Sequence, residues 1–205
     1  MNKKRFGVLA GVGAVLGSGG LLAATMLPSS ADTSKTEQPT AQTQATAISY
    51  GYRYFQCSQP KECHATAVLP KTWKHVYQGG TKTAFNDPTA NRMIRFNTWL
   101  GDKPPSTEAA ARKKVADLKG VSGLKIQNVY TARMQSTNSQ GRLTMTTVVY
   151  TYKSGKTTRW VATRYLGQHG ENKAQTEITV GGVPADYKLL GTALLKATQS
   201  FALAG

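Results

Sequence analysis

Apolar and polar residues alternate along several segments of the chain after residue 63, and this alternation predicts β-strands. In residues 92–100, for example, one side of an extended chain carries Ile94, Phe96 and Leu100. Further strands are expected at residues 64–69, 74–78, 83–85, 124–134, 143–152, 157–166 and 174–180. A tight turn is predicted at Ser154-Gly155, so the last three strands form an antiparallel meander over residues 143–180.

Two segments instead repeat apolar residues at the spacing of an α-helix. The first begins with Ser106 as its N-terminal cap, places Ala111, Val115 and Leu118 on one side, and ends at Gly120. The second begins near Pro184, and its apolar side is formed by Tyr187, Leu190, Leu194, Ala197 and Phe201. A run of strands with one inserted and one final helix predicts an α+β fold, in which helices pack on a largely antiparallel β-sheet.

The N-terminal segment has the composition of an export signal. Lys3, Lys4 and Arg5 precede residues 6–31, which contain no charged residue. Residues 7–27 are just long enough to cross a hydrocarbon core of about 30 Å as a helix, and the small residues before position 32 suit a signal peptidase. Residues 1–31 are therefore predicted to be either a cleaved signal peptide or a retained transmembrane anchor. Both alternatives place the rest of the chain outside the cytoplasm.

The composition then changes twice along the chain. Residues 32–49 are rich in Ser, Thr, Gln and Ala and contain no aromatic residue, so they are predicted to form a disordered tether. Residues 50–205 are long enough to bury one hydrophobic core and too short for two comfortable ones. They are therefore predicted to form one domain.

Positive charge dominates this domain. It contains 22 Lys and Arg residues against 8 Asp and Glu residues, which accounts for +14 of the chain's net charge of +16. Such a field favours an anionic partner, whether an acidic protein, an envelope polymer, lipid head groups or nucleic acid. Nucleic acid is the least expected of these, because export makes the encounter rare. The alternative is that the charge only keeps a secreted protein in solution.

The chain contains two cysteines, Cys57 and Cys63, and a pair of cysteines in an exported protein predicts a disulfide. A zinc site built on the same cysteines and His64 would lack a fourth ligand. No metal and no cofactor is expected.

The predicted meander interleaves cationic and aromatic side chains, which together can hold a polyanion. The candidate anion-binding residues are Arg142, Lys153, Lys156, Arg159, Arg164 and Lys173. The candidate aromatic contacts are Tyr150, Tyr152, Trp160 and Tyr165. Because the side chains of a strand alternate, one side of each strand must supply the core. The alternative is an ordinary sheet with aromatic pairs and solvated charges.

Three short patterns occur in the order of the serine motifs of penicillin-binding enzymes, namely Ser122-x-x-Lys125, Ser136-x-Asn138 and Lys153-Ser154-Gly155. The nucleophilic serine of that class opens a buried helix, whereas Ser122 stands between two glycines just before a predicted strand. No catalytic residue is therefore assigned, and a cell-wall-active serine enzyme remains the alternative to a binding protein.

Four segments of the domain resemble the PsbP-like superfamily. They are VLPKTWKHV at residues 68–76, AFNDPTANRMIRF at 84–96, STEAAARKKVADLK at 106–119 and GVPADYKLLGTALLKATQSF at 182–201. The Pro-x-Gly-Trp pattern usual in that superfamily reads Pro70-Lys71-Thr72-Trp73 here. The resemblance implies an α/β/α sandwich around an antiparallel sheet, and a role in assembly or protein binding rather than catalysis. It brings no catalytic residues with it.

Overall fold

The structure is a computed structural model, and it describes residues 48–57 and 63–204 of the chain. The predicted export segment, nearly all of the predicted tether, and the loop of residues 58–62 lie outside the described residues. The described ranges fall within one compact unit, Ala45–Gly205. No helix within these ranges is long and apolar enough to cross a membrane.

The described residues form ten strands and two α-helices. The strands are β1 (Tyr50–Gln56), β2 (His64–Pro70), β3 (Lys74–Gly79), β4 (Lys82–Asn86), β5 (Met93–Asn97), β6 (Lys125–Gln135), β7 (Arg142–Ser154), β8 (Thr157–Gly167), β9 (Thr176–Gly182) and β10 (Ala202–Ala204). The helices are α1 (Thr107–Asp117) and α2 (Tyr187–Ser200), and a single 3-10 turn, Pro184–Asp186, leads into α2.

Seven strands form a large antiparallel sheet in the order β3-β4-β5-β9-β8-β7-β6. The strands β1, β2 and β10 form a small antiparallel sheet in the order β1-β2-β10. The fold is therefore α+β, as the hydrophobic pattern predicts.

The main core lies between one side of the large sheet and a second layer made of the small sheet and α2. The large sheet contributes Ile94 and Phe96, the small sheet contributes Leu69, and α2 contributes Leu190 and Leu194, all of which are buried. Helix α1 covers the opposite side of the large sheet, where Ala110 and Ala111 pack in a second buried cluster with Val148, Tyr150, Val161 and Tyr165. Burial of apolar surface on both sides of the large sheet stabilises the three layers.

Both helices begin where the sequence predicts. The Ser106 hydroxyl accepts a hydrogen bond from the Ala109 amide at 3.1 Å and so caps α1. Gly120, just beyond the end of α1, has a φ of 87°, which suits glycine. In α2 the prediction is wrong for one residue, Tyr187, which the sequence pattern assigns to the apolar side. Tyr187 is 50% exposed, and Lys188 Nζ lies 5.9 Å from the centre of its ring. The apolar pattern defines the buried side of a helix, but it does not define how far along the helix that burial extends.

Two further predictions differ from the structure. The alternation predicts Leu100 beside Ile94 and Phe96, but Leu100 packs in the α1 cluster on the opposite side of the sheet. The reason is that β5 ends at Asn97, after which strand alternation no longer applies. The sequence pattern also does not predict the small sheet, because it indicates β2 but neither β1 nor β10.

The disulfide between Cys57 and Cys63 forms as predicted, with the two Cα atoms 5.4 Å apart. It joins the end of β1 to the start of β2, and the Cys57 amide also donates a hydrogen bond to the Cys63 carbonyl oxygen at 3.0 Å. A structural disulfide is typical of proteins that fold in an oxidising compartment outside the cytoplasm.

Candidate functional site

The six cationic residues expected to bind an anion do not meet in one place. Arg142 begins β7 and Lys173 follows β8, so both lie at one end of the β7–β8 hairpin. Lys153, Lys156 and Arg159 lie at the other end, around the turn. Strand β8 has 11 residues, so about 35 Å separates these ends.

Arg164 lies between the two ends and is buried, with only 6% of its surface exposed. It donates hydrogen bonds from Nε to Thr147 Oγ1 at 3.0 Å and from Nη1 to Thr198 Oγ1 at 2.9 Å. Burial lowers the pKa of its guanidinium, and the nearby Tyr130 acts in the opposite direction. Arg164 therefore joins the sheet to α2 and takes no part in an exposed anion-binding surface.

The four candidate aromatic residues divide in a similar way. Tyr150 and Tyr165 are 5% and 6% exposed and belong to the α1 cluster. Burial raises the pKa of the Tyr165 hydroxyl, and the neighbouring Glu177 carboxylate raises it further. Tyr152 and Trp160 are half-buried, and Trp160 Nε1 donates a hydrogen bond to Gln127 Oε1 at 3.1 Å. Only this second pair has surface that a partner can contact.

Four exposed lysines lie at the end of the large sheet where the β7–β8 turn stands beside the start of β6. Lys125 in β6 pairs with Thr151 of β7, and the next residue, Ile126, pairs with Tyr150. The Lys153 amide donates a hydrogen bond to the Ser122 carbonyl oxygen at 2.8 Å, which holds the α1–β6 loop against the end of β7. This group, here named the basic end, consists of Lys119, Lys125, Lys153 and Lys156.

The basic end belongs to a longer stretch without negative charge. Residues 118–170 contain eight Lys and Arg residues and no Asp or Glu, and this stretch, here named the acid-free block, includes all of β6, β7 and β8. The ion pairs of the described residues use other cations: Arg92 pairs with Asp87 and Asp186, Arg95 with Glu177, Lys113 with Asp117, and Lys173 with Glu171. The eight cations of the acid-free block therefore form no ion pair with a carboxylate of the described residues.

Sequence reasoning found Lys153 and Lys156 but missed Lys119 and Lys125. The run of residues without Asp or Glu would have revealed them, because it joins β6 to the two strands of the hairpin.

A second exposed surface was also missed. On β1, Tyr52 and Tyr54 are 67% and 66% exposed on the outer side of the small sheet, and Tyr54 stacks on His64 with ring centroids 4.9 Å apart. The sequence feature that could have revealed this surface is the alternation of tyrosines after residue 49.

Of the three serine-enzyme patterns, the first and the third are brought together by the hydrogen bond between the Lys153 amide and the Ser122 carbonyl oxygen, but the second lies apart from both. Ser122 precedes β6, whereas Ser136 follows it, so the 11 residues of that strand separate the two hydroxyls. The Ser136 hydroxyl donates to the Asn138 carbonyl oxygen at 2.7 Å in its own turn. Among the described residues, no three His, Cys, Asp or Glu side chains cluster in a way that would hold a metal ion.

A cleft of about 690 Å³ opens where three of the four segments that resemble the PsbP-like superfamily meet. Its wall contains Thr72 from the first segment, Asp87 and Arg92 from the second, and Asp186 from the last. Arg92 Nε lies 3.0 Å from Asp186 Oδ2, and Arg92 Nη1 lies 3.5 Å from Asp87 Oδ2. This arrangement ties the β4–β5 turn to the start of α2.

The Asp87 carboxylate is held in its charged form. Burial raises its pKa, but hydrogen bonds from the amide and the hydroxyl of Thr89 and the charge of Arg92 lower it by more. The pKa of Asp87 therefore lies below its ordinary value, and the carboxylate strengthens the contact with Arg92.

No family model matches the chain, and no curated protein matches it. Two solved structures are similar in part. One is LpqN of Mycobacterium tuberculosis, described as involved in cell envelope biogenesis, with 11% identity, 76% of this chain and 92% of that chain covered, and a TM-score of 0.48. The other is PA94 of Pseudomonas aeruginosa, a putative regulator of unknown function, with 14% identity, 72% and 94% covered, and a TM-score of 0.42. At these TM-scores neither likeness identifies a family or a function for the chain.

Proposed function

We propose that this protein is a non-catalytic binding module that works outside the cytoplasm and engages an anionic partner of the cell envelope through its basic end. The observation that carries the proposal is the acid-free block, whose eight cations form no ion pair with a carboxylate of the described residues. Four of them are the exposed lysines of the basic end, where the Lys153 amide donates a hydrogen bond to the Ser122 carbonyl oxygen. A cluster of like charges on a rigid sheet raises the local concentration of a polyanion and speeds its association.

The resemblance to the PsbP-like superfamily is consistent with the same proposal, because it implies a role in assembly or protein binding. Three of the resembling segments line one cleft, and Arg92 joins two of them there through its ion pairs with Asp87 and Asp186. The disulfide supports the extracytoplasmic location. If residues 7–27 are retained, the module is also held at the membrane surface.

A binding assay with poly-L-glutamate and with polyglycerol phosphate tests the proposal, the first standing for an acidic protein and the second for an envelope polymer. If four lysines each release one counterion, a rise from about 50 to 200 mM salt is expected to weaken binding roughly 100-fold. Binding that does not change with salt would contradict the proposal.

Two variants with the same net charge locate the site. The first replaces the four lysines of the basic end with Gln, and the matched control replaces four exposed lysines outside the acid-free block, Lys71, Lys74, Lys82 and Lys103. We expect the first variant to bind at least about tenfold more weakly than the control at low salt. Equal weakening would mean that net charge alone, and not the basic end, determines binding.

The non-catalytic part of the proposal has its own test. A β-lactam that acylates nucleophilic serines is expected to leave the protein unlabelled, with Ser122→Ala as the comparison. A covalent adduct that forms on the natural protein and disappears in the variant would favour the serine enzyme instead.

A further inference from the structure

Strand β6 forms one edge of the large sheet and pairs with β7 alone among the described strands. It has 11 residues, and every one of them is exposed except Ala132 and Met134, which are half-buried. Along its outer side, the backbone N–H and C=O groups are not used by the sheet. Such an edge is a template on which another extended chain can pair.

The exposed side chains of β6 offer apolar surface on both sides of the sheet. Val129 is 45% exposed and lies opposite Val148 on the α1 side, whereas Tyr130 is 40% exposed and lies opposite Thr147 on the α2 side. An added strand would therefore find apolar neighbours above and below it. Lys125 and Arg133 flank these residues, and β6 contains no acidic residue.

We propose that β6 is the docking strand for an extended acidic segment of a partner protein, which adds to the large sheet beside β6. This inference rests on the proposed function and names the mode of contact. Main-chain hydrogen bonds would supply affinity, and the charge of the acid-free block would select a segment rich in Asp or Glu.

A β-bulge sets the length of the docking strand. The register with β7 shifts between Ile126 and Asn128, so Gln127 is the extra residue, and its side chain accepts the hydrogen bond from Trp160. A bulge twists the edge and interrupts regular pairing. The segment available for an added strand therefore runs from Asn128 to Gln135.

Charge argues against a second copy of this chain as the occupant. Two copies paired through β6 would bring two acid-free blocks side by side, each with eight cations and no carboxylate. In an antiparallel pair around a two-fold axis, the Lys125 end of one strand would approach the Arg133 end of the other, and like charges at close range oppose pairing. An acidic segment removes this repulsion.

The test uses an extended peptide of about ten alternating Glu and Val residues as the probe. We expect hydrogen exchange to slow at every second amide of residues 128–135, because only alternate N–H groups of an edge strand point outward. The same peptide N-methylated at every residue keeps its charge but loses its amide donors, and it should bind about tenfold or more weakly. Equal binding of the two peptides would overturn the inference.

A matched pair of variants tests the position. Val129→Asp places a negative charge in the middle of β6, and Val76→Asp does the same on β3, the opposite edge of the sheet, where Val76 is 40% exposed. We expect only Val129→Asp to weaken binding of the Glu-Val peptide, by about tenfold. Equal effects would overturn the inference and leave the proposed function standing. No binding of the natural protein to any anionic probe at low salt would overturn both.

Discussion

Arg164 donates a hydrogen bond from Nη1 to Thr198 Oγ1 at 2.9 Å, and this bond links the middle of β8 to α2 across the main core. The Thr198 hydroxyl in turn donates to the Leu194 carbonyl oxygen at 2.7 Å in the same helix. No carboxylate of the described residues forms an ion pair with Arg164, so hydroxyl groups alone satisfy a buried guanidinium.

Two substitutions of Arg164 distinguish the contribution of its packing to stability from the contribution of its charge and hydrogen bonds. Arg164→Ala removes both hydrogen bonds and leaves a cavity, and we expect it to lower the free energy of unfolding by about 2–4 kcal/mol. Arg164→Met keeps the apolar stem and removes a desolvated charge, so it should cost less than half as much. Urea denaturation measures both values. Equal losses would show that the hydrogen bonds, and not packing, make the contribution.

The Arg92 contacts predict loss of stability in acid. Because the pKa of Asp87 is lower in the folded protein than in the unfolded chain, its contribution is complete above the ordinary pKa of about 3.9 and is lost as the pH falls through the lower folded value. Asp87→Asn should be less stable than the natural protein by about 1–2 kcal/mol at pH 7, and this difference should shrink below pH ~4. Denaturation at several pH values measures it. A constant difference would contradict the role given to the carboxylate.

Reduction of the disulfide should weaken the domain without unfolding its main core. The ring spans a sequence separation of 6, and closing so short a loop stabilises a protein by about 2 kcal/mol in the loop-entropy account. We expect thermal unfolding at a lower temperature in the presence of a reductant. The double variant Cys57→Ala with Cys63→Ala should match the reduced protein and should not respond to reductant.

The tyrosines of β1 provide a control surface for the binding proposals. Because Tyr52 and Tyr54 are largely exposed and belong to the small sheet, replacing both with Ser should change the stability by less than about 1 kcal/mol. Binding to poly-L-glutamate should stay within about twofold of the natural value, since the change removes no charge. A larger loss in the binding assay would move the functional surface to the small sheet.

The sequence predicts most of the large sheet because its strands alternate regularly. Ile94 and Phe96 are buried as their spacing requires, and Ser106 caps α1. The position of Arg164 could not be predicted in this way. Residues 161–168 are all buried, so both sides of β8 face packed layers, and alternation cannot separate a core side from a solvent side when neither side meets solvent.

The candidate site was harder to predict than the fold, for a related reason. Lys125 and Lys153 are 28 positions apart in the sequence and lie at the same end of the sheet only because β6 and β7 pair in one register. A list of cationic residues within the meander could not include Lys125, which precedes it. The absence of acidic residues over a whole stretch is a better guide, because it holds whatever the register of the strands.

The acidic residues of the large sheet lie away from its β6 edge. Asp87, Glu177 and Asp186 lie around β4, β5, β9 and the start of α2, whereas the charged residues of β6 are Lys125 and Arg133. An anionic surface would turn such a molecule as it approaches and present the β6 edge first. The sheet would then reach its partner already oriented, and fewer collisions would be lost to wrong orientations.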